Sequence, residues 1–139
     1  MMKFYFFLIL GILGANLSFA QSQEHKVKEI NFLVEKLMLN DRQAEKVTKI
    51  IQRKYDTFQV IQKYKSTNAK VYAAKLKALY EGTLISVLIL LESDVQREAF
   101  RLYGVELRSY KAEKMKNYKE KGLSKEEASD KFYSEVIFS

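Results

Sequence analysis

Asn40-Asp41-Arg42-Gln43-Ala44-Glu45-Lys46-Val47-Thr48-Lys49-Ile50-Ile51-Gln52-Arg53-Lys54-Tyr55-Asp56-Thr57-Phe58-Gln59-Val60-Ile61 decides the fold class. Ala44, Val47, Ile51, Tyr55, Phe58 and Ile61 recur at three- and four-residue steps, which places them on one stripe of an α-helix. Lys46, Lys49, Arg53, Lys54 and, just beyond, Lys63 occupy much of the remaining surface. No glycine or proline interrupts the run. At its start, Asn40 and Gln43 have the spacing of a capping box, in which the Asn side chain accepts from the N3 amide and the Gln side chain accepts from the cap amide. The stretch therefore predicts a long amphipathic helix opening at Asp41.

The same grammar extends in both directions. Toward the N-terminus, Val27, Ile30, Leu33, Val34, Leu37 and Met38 form a shorter apolar face that ends near Leu39. Toward the C-terminus, the turn-prone cluster Ser66-Thr67-Asn68 separates a third segment from about Ala69, with Tyr72, Leu76, Leu79 and Tyr80 at helical spacing. Gly82 then precedes the densest apolar run, Leu84 to Leu91, interrupted only by Ser86. With no second strand candidate to pair with, this run is expected to be a buried core helix. A fourth segment from Asp94 carries Phe100, Tyr103, Leu107, Tyr110, Lys114 and Tyr118 on one stripe, with Gly104 as a candidate kink. After Gly122 a short helix from Lys125 to about Ile137 presents Ala128, Phe132 and Val136. Proline is absent throughout, and only Gly82, Gly104 and Gly122 follow Ala20. The expectation is an all-α chain of four to five amphipathic helices in a curved bundle or hairpin, forming a single domain over 21–139.

Residues 1–20 read differently. Lys3 supplies a positive n-region, Phe4 to Leu13 an apolar h-region, and Ser18-Phe19-Ala20 the small residues a signal peptidase needs, so cleavage is expected after Ala20. The apolar stretch is shorter than the roughly 20 residues that cross a bilayer. A periplasmic or secreted protein is expected, and its lack of cysteine means that helix packing or oligomerisation must supply the stability. Losing Lys3 lowers the net charge from +7 to about +6. In an exported protein that excess directs attention to unfolded or acidic envelope proteins and to anionic membrane surfaces rather than nucleic acid. A homodimer through a shared apolar face is compatible with the same pattern.

Two further capping boxes, Ser93 with Gln96 and Ser124 with Glu127, repeat the Asn40–Gln43 spacing, and Leu39 and Leu123 stand just before the first and third caps. Each cap contributes about 1 kcal/mol, so the boxes first mark helix starts. Leu39-Asn40-Asp41-Arg42-Gln43 also resembles the L-T-x-x-Q motif of the Spy/CpxP family of small, all-helical periplasmic proteins of the envelope stress response, with Asn40 where that family usually has Thr. Leu91 to Phe100, which contains Ser93 and Gln96, resembles the family's second motif with one residue inserted. Leu123-Ser124-Lys125-Glu126-Glu127 is a rival for that role. The resemblance covers residues 25–110 as organisation, and it implies an ATP-independent chaperone or stress-response binder acting through a basic, partly apolar cradle.

Enzymatic chemistry finds little support in the residue inventory. Without cysteine and with His25 as the single histidine, neither a thiol nor a serine triad is readily assembled. His25 and Glu29 share a helix face but make too few ligands for a metal site. No cofactor is expected. The candidate client-binding residues are Lys46, Lys49, Arg53 and Lys54 on the basic face, and Tyr103 and Tyr110 on the aromatic stripe. Tyrosine combines apolar area with a polar tip and suits varied partners.

Overall fold

The computed structural model describes residues 21–136, so the signal segment, its cleavage point and the expected helix end at Ile137 lie outside the described residues. Those residues form an all-α bundle with no strand among them. Helix α1 covers residues 21–36. It is followed by α2 (Asp41–Ile61), a 3-10 turn at Gln62–Tyr64, α3 (Ala69–Leu90), α4 (Asp94–Glu120) and α5 (Lys125–Val136). At 1.5 Å per residue the 27-residue α4 is about 40 Å long, the longest element.

Helices α2 to α5 each start on a side-chain cap that explains their position. Asn40 and Ser93 form complete capping boxes with Gln43 and Gln96. Ser124 and Glu127 exchange the same two bonds at α5, at 2.7 and 3.1 Å. Asn68, which the sequence marks only as part of a break, caps α3 by accepting from the Val71 amide at 3.1 Å. The ends are equally local. α1 closes with Met38 in the left-handed region (φ 53°) while the Leu39 amide reaches back to the Val34 carbonyl at 2.9 Å. A side chain held there costs about 1–2 kcal/mol, and glycine is the usual occupant. α4 ends in the same motif on Gly122 (φ 93°), where glycine meets the requirement without strain, with Leu123 N–H bonded to the Tyr118 carbonyl at 3.1 Å.

The stripe on α2 lies inside as expected: Val47, Ile51, Tyr55, Phe58 and Ile61 are buried. They serve two separate cores. At one end Leu33 and Leu37 of α1 meet Val47, Ile51 and Tyr55 of α2 and Val87 and Leu91 around the end of α3. At the other, Phe58 and Ile61 meet Tyr72 and Leu76 of α3, Tyr118 of α4, and Ala128, Phe132 and Tyr133 of α5. Between these ends α3 and α4, joined by a three-residue turn, run side by side without closing on each other, and a cavity opens along their seam. α4 continues through Gly104 as one helix, so the candidate kink there does not break it.

Three readings of the sequence are corrected. The run Leu84 to Leu91 is helical up to Leu90 but not wholly buried: Val87 and Leu91 are inside, whereas Ile85 is 58% and Ile89 77% exposed, with Leu88 also exposed. A helix apolar all round signals burial by composition, but α3 presses only one side against α2 and α5, and its outer side faces solvent. Lys54, assigned to the basic solvated face, is instead buried and salt-bridged to Glu29 at 2.5 Å. On α1, Val27 and Met38 are exposed, and Lys26 takes an inward place with its ammonium on Gln52 Oε1 at 3.1 Å.

Candidate functional site

The two glutamines of the first and second capping boxes, 53 positions apart in the chain, meet face to face. Gln43 Nε2 donates to Gln96 Oε1 at 3.0 Å and to the Leu90 carbonyl at 2.9 Å. Gln96 Nε2 donates to Gln43 Oε1 at 2.8 Å and to the Met38 carbonyl at 3.0 Å. Each Oε1 also accepts from a backbone amide at its own helix start, Asn40 N–H for Gln43 and Glu92 N–H for Gln96, both at 3.0 Å. Both donors of each carboxamide are therefore used, the Gln43 oxygen accepts twice and the Gln96 oxygen three times, counting the Ser93 amide at 3.4 Å, inside a region where Gln43 is 1% and Gln96 7% exposed. The pair ties the α1–α2 turn to the α3–α4 turn. Ser124 and Glu127 stand apart from it as an exposed local cap at α5.

From this clasp α3 and α4 run toward α5 along a cavity of about 580 Å³. α1 contributes Phe32 and Leu33, α2 Lys54 and Tyr55, α3 Tyr80, Leu84 and Val87, and α4 Tyr103, Leu107 and Tyr110. Val136 of α5 completes the lining. Its walls are mainly apolar and aromatic, and Phe32 packs edge-on against Tyr103 with centroids 5.6 Å apart. The charged lining residues are Lys28, Glu29 and Lys54, with His25 alongside. The Lys54 ammonium bonds Glu29 and lies 5.4 Å from the centre of the Tyr55 ring, so this buried cation has both a carboxylate and an aromatic neighbour. A volume of this order lies in the range of small-ligand and side-chain binding clefts.

The phenols around the bundle interior resist ionisation. Burial pushes Tyr103 up to about 12, helped by the neighbouring Tyr80, Glu29 and Glu106. Burial likewise raises Tyr118 to about 12, and its hydroxyl donates to the Glu135 carboxylate, which favours the neutral phenol. Tyr55 and Tyr80 are raised for the same first cause, burial. A group whose folded pKa exceeds its unfolded value, about 10 for tyrosine, contributes stability that is fully present below that value and is lost as pH rises through the folded pKa. Melting temperature is thus expected to change little on this account up to about pH 10 and to fall between there and about 12. Tyr118→Phe should make that fall shallower, measured by circular dichroism melts across the alkaline range.

The candidate binding residues divide into two groups. Lys54, Tyr103 and Tyr110 all line the cavity. Lys46, Lys49 and Arg53 lie together on the exposed outer face of α2 and do not reach it. Tyr55 and Tyr80, which the sequence marks only as apolar-face residues, and Phe32, which it does not single out, are also part of the lining. Their signal was present as aromatic residues at the edges of otherwise aliphatic stripes. Among the described residues no three His, Asp or Glu side chains converge as a metal-binding group, and no helix is long and apolar enough to cross a membrane. Compared with protein-family models, with curated proteins and with solved structures, the chain matches none.

Proposed function

We propose that the chain is an exported, non-enzymatic binding protein of the cell envelope that holds unfolded or acidic client segments without ATP, as its resemblance to the Spy/CpxP family implies. The observation that carries this reading is the open, tyrosine-rich cavity between α1, α3 and α4, continuous with exposed apolar side chains. Leu84, Ile85 and Leu88 of α3 face Phe100 and Gly104 of α4 across the seam, and Ile89 at 77% exposure extends the apolar surface beyond it. Contiguous apolar surface of this kind, rimmed by charge, marks interaction sites. Basic residues around it favour acidic segments, and tyrosine accommodates varied sequences at small entropic cost.

The purified chain from Gln21 onward is expected to suppress aggregation of a chemically unfolded model protein at equimolar to few-fold excess, read by light scattering in the absence of nucleotide. No protection at several-fold excess would sink the reading. A second reading, docking to one envelope partner or to an anionic membrane surface, is favoured by a different feature. Lys46, Lys49 and Arg53 are exposed together and none forms an ion pair among the described residues. Salt-sensitive binding to anionic vesicles, reduced by charge reversal at these three positions and unaccompanied by client protection, would select it.

A further inference from the structure

On the side of the α3–α4 seam away from α1 lies a second groove of about 320 Å³. Its two long walls are antiparallel: Tyr80, Leu84 and Leu88 on α3 run opposite Lys111, Leu107 and Phe100 on α4. Hydrophobic and aromatic side chains dominate the end toward the α3–α4 turn. The other end carries Arg108, Lys111 and Tyr133, and no carboxylate lines the groove anywhere.

Neither cation is neutralised by an acid among the described residues. Lys111 donates its hydrogen bond to the Tyr133 hydroxyl at 2.8 Å, with its ammonium 4.8 Å from the centre of that ring. Arg108 folds back over the helix, its guanidinium nitrogen only 3.4 Å from where a Cβ on Gly104 would stand. The trough is thus apolar toward the α3–α4 turn and positive over its other part, from the Arg108 guanidinium beside Gly104 to Lys111. From Phe100 to Lys111 it extends about 16 Å along the helix axis, comparable to an extended lauroyl chain.

We propose that this groove binds a single-chain anionic amphiphile, a fatty-acid carboxylate, with the acyl chain between Leu84, Leu88, Phe100 and Leu107 and the head group on Arg108 and Lys111. The charge pattern selects this occupant: a neutral chain would leave the two cations unmatched, and a cationic amphiphile would be repelled by them. Gly104 leaves room for the Arg108 guanidinium against the wall, and a larger side chain there would displace it and project into the groove. This site does not rest on the client-holding activity. A chain that binds fatty acid but protects no client leaves the proposal standing, and one that protects clients but binds no fatty acid overturns only the proposal.

Titration calorimetry of the purified chain from Gln21 onward with laurate, below its micellar concentration, tests it. One laurate per chain is expected, with affinity rising roughly fourfold per methylene from octanoate through decanoate to laurate. Dodecyltrimethylammonium should bind at least roughly tenfold more weakly, the order of one well-placed charge contact. Gly104→Leu should abolish laurate binding while the helical spectrum and melting temperature are kept, since the added side chain meets only the mobile end of Arg108. Arg108→Glu, at an exposed position, should weaken laurate and strengthen the cationic amphiphile. Equal binding of both amphiphiles, unchanged laurate affinity in folded Gly104→Leu or in Arg108→Glu, or no laurate binding to the parent chain would each overturn the assignment.

Discussion

Replacing Gln43 with leucine is expected to destabilise the protein by about 3 kcal/mol, among the largest effects available from a single polar residue. The substitution keeps the volume and the apolar contacts but leaves the Leu90 carbonyl, the Asn40 amide and half of the Gln96 carboxamide without their partners. These groups sit where water has little access, so each orphan costs its desolvation, about 1–3 kcal/mol before relaxation. The companion substitution Gln96→Leu should cost a similar amount. The double variant should cost clearly less than the two singles together, with a coupling of about 1–2 kcal/mol, because the second change removes groups that the first had stranded. Urea unfolding followed by circular dichroism measures all four corners of this cycle. Strict additivity, or a loss below 1 kcal/mol for Gln43→Leu, would mean that water replaces the clasp and that the two turns are not held by it.

Phe132→Ala is expected to cost about 3–5 kcal/mol, a large part of the stability of a domain this size. Phe132 is 2% exposed and is the largest of the fully buried side chains. It stacks near-perpendicular on Tyr133 at 5.2 Å and sits 6.2 Å from Tyr110 of α4. α5 is only 12 residues long, too short to persist as an isolated helix, so its helicity depends on this docking. Loss of the ring should therefore release α5 before the rest unfolds. Limited trypsin digestion should cut at Lys121 and Lys125 faster than elsewhere, while the α1–α4 fragment remains helical. Because Tyr133 and Val136 ride on α5, the same variant should widen both cavities at that end. Digestion that accelerates uniformly along the chain would instead place α5 within one cooperative unit with the other helices.

Much of this architecture is legible locally. Asn40, Ser93 and Ser124 each have a Gln or Glu three residues on, and all three open helices because a cap depends only on residues within one turn. The stripe from Val47 to Ile61 is legible for the same reason, since burial follows from period alone when a helix has one apolar face. What escapes is whatever needs a second element. Leu84 to Leu91 carries apolar residues all round, so its period does not say which side is covered, and the splay of α4 leaves Ile85, Leu88 and Ile89 outside. Lys54 reads as solvated until Glu29, 25 positions earlier, is found beside it. The mutual bonding of Gln43 and Gln96 lies beyond local reading, because each residue already has a complete role in its own capping box. Of the proposed contact residues, Tyr103, Tyr110 and Lys54 lead to the cavity, whereas Lys46, Lys49 and Arg53 lead away from it.

The bundle is fastened at its two ends by different chemistry. At the α1–α2 end the clasp consists of two neutral carboxamides that neither gain nor lose a proton at any accessible pH and that salt hardly screens. At the α5 end the Tyr118 hydroxyl is bonded to a carboxylate, a contact that ends when the phenol ionises. Ionising Tyr118 thus removes a fastening at α5, while the carboxamide clasp at the opposite end has no proton to lose. The two fastenings therefore differ in kind, one titratable and one not, an asymmetry set by which hydrogen-bonding groups join the elements at each end.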